Sequence, residues 1–210
     1  MFDGILFDLD GTLWDAVPAI TLTWNRVYQR NGLPPVSEAA MRGCMGLLME
    51  DIAARQLPGL PPERQMDILR ACMDEEDAYL NTHGTPLYPG GAETLAALAL
   101  RTPLFVVSNC QDGYVQTFLK STGTAERFED FECAGRTGRP KSVNIALVAE
   151  RNGLRSPVYI GDTQLDYTSA VAAGVPFLHA AYGFGTIDVP VPAVTAFDQI
   201  PAALERMSPT

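Results

Sequence analysis

ILFDLDGTLWD, residues 5–15, carries three apolar residues into a carboxylate, Asp8, with a second, Asp10, two positions later. A Gly-Thr turn follows, and then a third acid, Asp15. An apolar run of this length bounded by Asp and Gly predicts a short buried strand that opens into a polar turn. Short apolar runs recur along the chain. They are PLFVVS (residues 103–108), a weaker FECA (131–134), PVYIGD (157–162) and VPFLHA (175–180). Helical patterns lie between them, such as SVNIALVAERNG (142–153), which runs into a glycine of C-cap type. Runs without polar alternation suit a parallel sheet covered on both faces, so the chain reads as α/β and doubly wound.

The alternation is interrupted once. No second strand follows the first for about 90 residues. Ile20, Trp24, Val27 and Tyr28 share one helical face, and Ile68, Leu69, Cys72, Met73, Tyr79 and Leu80 stripe a longer segment. GLPP (32–35) and LPGLPP (57–62) stop helices, and PLYPGG (86–91) marks the return. The expected organisation is a core of residues 1–15 and 86–210 with a helical insertion at 16–85.

The bulk composition bounds the function. Of 210 residues, 47% are hydrophobic and 19% charged, enough for one large core or a core with an insertion. The formal charge of −10 argues against nucleic acid and anionic lipid as partners. Cys44, Cys72, Cys110 and Cys133 form no C-x-x-C pair and read as reduced thiols, which points to the cytoplasm. No leader and no membrane span are expected.

In an open parallel sheet, ligands bind outside the carboxyl ends of the strands. Asp8 sits at the end of the first strand, Ser108 and Asn109 at the end of the second, and Asp162 at the end of the fourth. Asp166 lies four residues beyond Asp162, and Lys141 stands in GRPKS between the third strand and its helix. Parallel neighbours would bring these groups to one rim. Two charges at 4 Å repel by about 4 kcal/mol at an effective dielectric near 20. A hard divalent cation relieves such crowding, and the all-oxygen donor set favours Mg²⁺ over zinc. A cation and a lysine together receive a phosphate, with Ser108 and backbone N–H groups on its oxygens. Asp8 is then placed to attack phosphorus, and Asp10 to protonate the leaving oxygen and afterwards to activate water.

FDLDGTLWD, VVSN, the lysine of GRPKS and YIGDTQLD, in that order, resemble the four motifs of the haloacid dehalogenase-like hydrolase superfamily. AVAAGVP and AYGFG are similar to it as well, so the likeness runs from Met1 to about Gly185. It is nearest to the phosphoglycolate phosphatase-like branch. The resemblance implies a Rossmann-like core with an inserted α-helical cap, acting on a small phosphorylated metabolite as a monomer or homodimer. By position it implies that Asp8 is nucleophile and metal ligand, and that Asp10 is the acid/base giving the metal its backbone carbonyl. Thr12 steadies the turn, and Ser108 and Lys141 bind phosphate. Asp162 is the side-chain metal ligand, and Asp166 orients Lys141 or metal-bound water.

Each residue also has a plainer reading. Asn109 directs a group at phosphate or serves a turn. Asp162 caps the next helix, Asp166 favours its dipole, and His83 and His179 are structural. Cys110 reads as a buried thiol. Trp14 and Trp24 belong near the junction of insertion and core. Arg42 binds a substrate carboxylate or is merely exposed, and Met45, Leu47 and Met49 form an apolar lid. A β-phosphoglucomutase-like phosphosugar mutase is the main alternative, weakened because residues 16–31 contain no His. Asp10 argues against a dehalogenase, whose halide leaving group needs no proton. A non-enzymatic phospho-receiver module would not carry the long helical insertion.

Overall fold

The computed structural model describes residues 2–207; Met1 and residues 208–210, the outermost bounds of the expected core, lie outside them. The six strands are β1 (Gly4–Phe7), β2 (Leu104–Ser108), β3 (Phe128–Cys133), β4 (Pro157–Gly161), β5 (Phe177–Ala180) and β6 (Ala193–Val194). They form one sheet of order β3-β2-β1-β4-β5-β6 in which every pairing is parallel. All residues of β1, β2, β4 and β5 are buried, as their unalternating apolar runs require.

Two strands depart from the expectation. β3 begins at Phe128, three residues earlier than the FECA run. It is an edge strand whose first half is only partly buried, so its apolar signal is diluted by Glu129 and Asp130. β6 was not anticipated. It has two residues, sits at the opposite edge, and lies in a proline-rich stretch that gives no periodicity.

Between β1 and β2 run α1 (Val17–Arg30), α2 (Glu38–Arg42), α3 (Met49–Gln56) and α4 (Pro62–His83), then α5 (Gly91–Ala99). The punctuation falls where expected: α1 is stopped by the glycine of the first run, Gly32, and α4 starts on Pro62 of the second. α1 packs on α4 through Ile20, Trp24, Val27 and Tyr28 against Ile68, Leu69, Cys72 and Leu80. The remaining helices are α6 (Tyr114–Thr122), α7 (Ala134–Thr137), α8 (Lys141–Arg151), α9 (Gln164–Ala172) and α10 (Ile200–Met207).

The chain moves outward from β1 through β2 to β3, then crosses back to β4 on the other flank of β1. The strand order therefore reverses between β1 and β4, and the crevice of a doubly wound sheet opens at the carboxyl end of that pair. Asp8 and Asp162 follow β1 and β4 directly, and the Asp8 N–H donates to Ile160 O at 2.8 Å.

Candidate active site

Past β1 the chain folds back on itself within five residues. Thr12 and Leu13 N–H both donate to Leu9 O, and Gly11 N–H donates to Trp14 O. Gly11 has φ +84°, and a Cβ there would strike the Asp162 carboxylate. Glycine thus permits both the turn and its close approach to β4. Tyr182 OH donates to Thr12 O at 2.8 Å, which ties the AYGFG loop to the same turn.

Lys141 occupies the centre. Its Nζ donates to Asp8 Oδ1 at 2.8 Å and to Asp166 Oδ1 at 2.6 Å, and all three side chains are buried. Lys141 is the first residue of α8, reached after α7, and does not lie in the connection before a helix. Burial pushes its ammonium pKa down, but Asp166 and Asp8 more than offset this, so the pKa ends above the ordinary lysine value.

Asp166 is saturated. Its Oδ2 accepts from Asp162 N, Thr163 N and Thr163 Oγ1, and its Oδ1 from Lys141 and from Tyr159 OH at 3.4 Å. It forms a capping box with Thr163 at the start of α9, so Thr163, and not Asp162, is the N-cap. Of the two roles expected of Asp166, the hydrogen bonds serve the one that holds Lys141.

One oxygen from each of Asp8, Asp162 and Asp166 lies within 4.8 Å of the others. At that spacing two charges repel by about 3 kcal/mol at an effective dielectric near 20. Burial and then the neighbouring acids push Asp8 up to about 6 and Asp162 up to about 8. Asp162 is supported by Phe184 N–H on Oδ2 at 2.7 Å, by a long contact from Thr12 Oγ1, and by His179 Nε2 against its backbone carbonyl. A Cβ at Gly183 would also strike Asp162, so the loop must carry glycine to close over it. Three carboxylates against one ammonium, all oxygen donors, make a set that fits a hard divalent cation.

The Asp10 side chain stands apart from this group. Trp14 Nε1 and Tyr114 OH donate to its Oδ1 at 2.9 and 3.0 Å. Burial, then the Asp8 charge, push it up to about 7. Asp8, Asp10 and Ser108 line one cavity with Met45, Leu47 and Met49, the residues read as an apolar lid. Ser108 ends β2 and is buried, its Oγ facing Cys110 N–H at 3.4 Å. Asn109 also lines the cavity, but its amide N–H donates to Gly46 O at 2.8 Å, so that donor ties the end of β2 to the loop between α2 and α3. Cys110 is a buried thiol whose pKa burial raises. His83 is exposed at the end of α4. Arg42 donates to Asp15 at 2.9 Å and lies over the Phe184 ring.

Several partners were not named from sequence, among them Thr163 and Tyr159 on Asp166, Tyr182 on Thr12, Phe184 on Asp162, and two that line the cavity, Tyr114 and Glu76. Tyr114 reaches Asp10 across 104 positions, a contact with no local signature. Glu76 is buried on α4, where Trp24 Nε1 donates to Oε2 at 2.6 Å and Gln111 Nε2 to Oε1 at 3.2 Å. Its spacing carries a signal, because Cys72, Glu76 and Leu80 follow each other at i+4 on the buried face.

Compared with known proteins, residues 5–180 match the family model of the haloacid dehalogenase-like hydrolases. Phosphoglycolate phosphatase of Shigella boydii is 30% identical over 91% of this chain and 87% of its own length, and that of Escherichia coli K12 matches to the same extent. A haloacid dehalogenase-like family hydrolase of Streptococcus pneumoniae superposes with a TM-score of 0.84 at 22% identity, covering 96% of this chain and 97% of that one. CbbY of Rhodobacter sphaeroides, solved in complex with phosphate, superposes at 0.79 and 20% identity over 98% and 100%. The solved structures establish the likeness of fold.

Proposed function

The chain belongs to the haloacid dehalogenase-like hydrolase family and is a phosphoric monoester hydrolase; we propose that it cleaves a small phosphomonoester through an aspartyl-phosphate on Asp8. The observation that carries this reading is the Lys141 bridge between Asp8 and Asp166 at the strand-order reversal, with Asp162 beside it.

The roles follow from the contacts. Asp8 attacks phosphorus, with one carboxylate oxygen fixed by Lys141. Lys141 receives the phosphoryl oxygens, held in place by Asp166, and Ser108 supplies a further donor from the end of β2. Asp10, steadied by Tyr114 and Trp14, delivers a proton to the leaving oxygen. In the second half of the cycle Asp10 takes a proton from the water that attacks the phosphorus of the aspartyl-phosphate. That attack releases phosphate and restores Asp8. The oxygen-only group of Asp8, Asp162 and the Asp10 carbonyl fits Mg²⁺. When bound, the ion neutralises charge on the phosphoryl group.

Residues 16–85 are proposed as a helical cap over a core of 1–15 and 86–210. Support comes from the α1–α4 packing and from the two connections, which meet where Tyr88 N–H donates to Leu13 O. The compartment proposed is the cytoplasm, in keeping with four free buried cysteines. No described helix is long and apolar enough to cross a membrane.

The test is release of phosphate from an aryl phosphate with Mg²⁺. Asp8→Asn is expected to abolish turnover while the protein stays folded. Full activity in Asp8→Asn, or activity that survives removal of all divalent metal, would reject the mechanism.

A further inference from the structure

The cavity next to Asp8 and Asp10 is walled on one side by the inserted helices, through Ile20, Met45, Leu47, Met49 and Ile52. Glu76 of α4 is the ionisable group on that wall, and it is 3% exposed. Trp24 Nε1 donates to its Oε2 at 2.6 Å, and Gln111 Nε2 donates to its Oε1 at 3.2 Å. An indole nitrogen only donates, and so does the amide nitrogen that Gln111 presents. Neither takes a proton from Glu76, so the hydrogen of the neutral acid is left for the occupant of the cavity.

The surroundings keep Glu76 neutral. No Lys or Arg among the described residues lines the cavity. The ionisable groups near Glu76 are Cys72 and Asp77 of α4, Tyr114 of α6, and Asp10 and Cys110 on the core side, none of them a cation. Arg26 and Arg30 of α1 pair with Glu75, and Glu50 and Asp51 of α3 are exposed. Burial accordingly pushes the Glu76 carboxyl up to about 8. Burial and Asp8 push Asp10 up to about 7, and it holds its proton whenever it serves as the acid. Neither carboxyl then meets the bound ester as an anion. The amino end of α3, which no side chain caps, borders the same cavity at Leu47 and Met49, and its dipole favours negative charge there.

A phosphoryl group on Asp8, with its leaving oxygen at Asp10, sends the rest of the ester into this space. The free space of about 40 Å³, room for about three waters, keeps that portion short. A methyl group there leaves the Glu76 O–H unmatched, whereas a carboxylate accepts from it. A carboxylic acid kept neutral by an apolar site can serve as a donor, and a bond to a charged acceptor is about twice as strong as one between neutral groups. Granted the phosphoester reading of the same site, we infer that the Glu76 O–H donates a hydrogen bond to a carboxylate on the alcohol portion of the ester, and that Glu76 thereby selects short phosphorylated hydroxy acids.

Glu76 also joins α4 to the Gln111 loop, so the test needs a readout that a purely structural role leaves unmoved. 2-Phosphoglycolate and ethyl phosphate differ in carboxylate against methyl at the same place. The ratio of their kcat/KM values, read with Mg²⁺ from about pH 6.5 to about 9.5, cancels the groups that act on both esters. The wild type is expected to favour phosphoglycolate by about tenfold or more near pH 7. The ratio should hold to about pH 8, while Glu76 keeps its proton, and fall by about tenfold per pH unit above that. Glu76→Gln keeps a donor that does not titrate, since one amide N–H meets Gln111 and the other remains for the substrate. Its ratio should stay level across the range. Glu76→Leu has no donor, and its ratio near pH 7 should fall by about tenfold, whereas a structural role changes both esters alike. An aryl phosphate run in parallel separates the failures. Aryl turnover with ethyl phosphate preferred, with a level ratio in the wild type, or with the same fall in Glu76→Gln overturns this inference alone. No turnover of any ester with Mg²⁺ overturns the hydrolase reading and this inference with it.

Discussion

Glu76→Gln changes one buried carboxyl into its neutral isostere and isolates the cost of ionising it. Burial raises the Glu76 carboxyl from 4.5 to about 8, against the opposing pull of Trp24 and Gln111. The folded protein therefore keeps this proton up to about pH 8, while the unfolded chain gives it up above its ordinary value. Unfolding releases a proton in that window, so stability falls as pH rises through it and levels off above pH 8. At 1.36 kcal/mol per pH decade the full loss is about 5 kcal/mol, of which about 3 kcal/mol falls between pH 5.5 and 9. The side-chain amide of the variant has no such proton to lose. Its carbonyl oxygen still accepts from Trp24, and its NH₂ meets the carbonyl end of Gln111 after that side chain turns over. Between pH 5.5 and pH 9 the variant should gain about 3 kcal/mol on the wild type, or about 10 °C in Tm for a chain of this size. Urea unfolding at a series of pH values with chelator present measures this, and subtracting the two curves cancels the titration of the other acids. Parallel curves across the whole range would show that Glu76 ionises freely in the folded protein, and the burial reasoning would fail.

Other perturbations read other parts of the site. Lys141→Met leaves Asp8 and Asp166 buried without their cation and is expected to cost about 3–5 kcal/mol at pH 8; a loss under about 1 kcal/mol in urea unfolding contradicts the bridge. The penalty should shrink as pH falls, because Asp8, raised by burial and in the variant freed of the lowering pull of Lys141, takes up a proton. Asp10→Asn, given an aryl phosphate whose leaving group needs no acid, should accumulate a phosphoryl-enzyme visible in the intact mass, and steady turnover at the wild-type rate refutes its role. Mg²⁺ at about 100 times its Kd should stabilise the protein by about 2.7 kcal/mol, or about 5–10 °C in Tm. Asp162→Asn should remove that shift, and an unchanged shift places the ion elsewhere.

Local chemistry made much of this protein legible in advance. The apolar runs announced β1, β2, β4 and β5 because strands buried on both faces have no room for polar alternation. The turn after β1 is written in Asp-Gly-Thr, α1 is stopped by Gly32, whose positive φ lets Leu33 N–H close on Tyr28 O, and α4 begins on Pro62, whose missing N–H costs nothing there. Where burial was one-sided, as along β3, or an element spanned two residues, as in β6, the pattern faded. The partnerships within the site belong to the tertiary structure. Lys141 meets Asp8 across 133 positions, and Tyr114 meets Asp10 across 104. The Asn109 amide goes to Gly46, and Glu76 turns inward between Cys72 and Leu80. Periodicity specifies which face of an element is covered, because that depends on backbone geometry along one segment. It carries no information on which distant group covers that face, and the charge state of a buried acid is set by those distant groups.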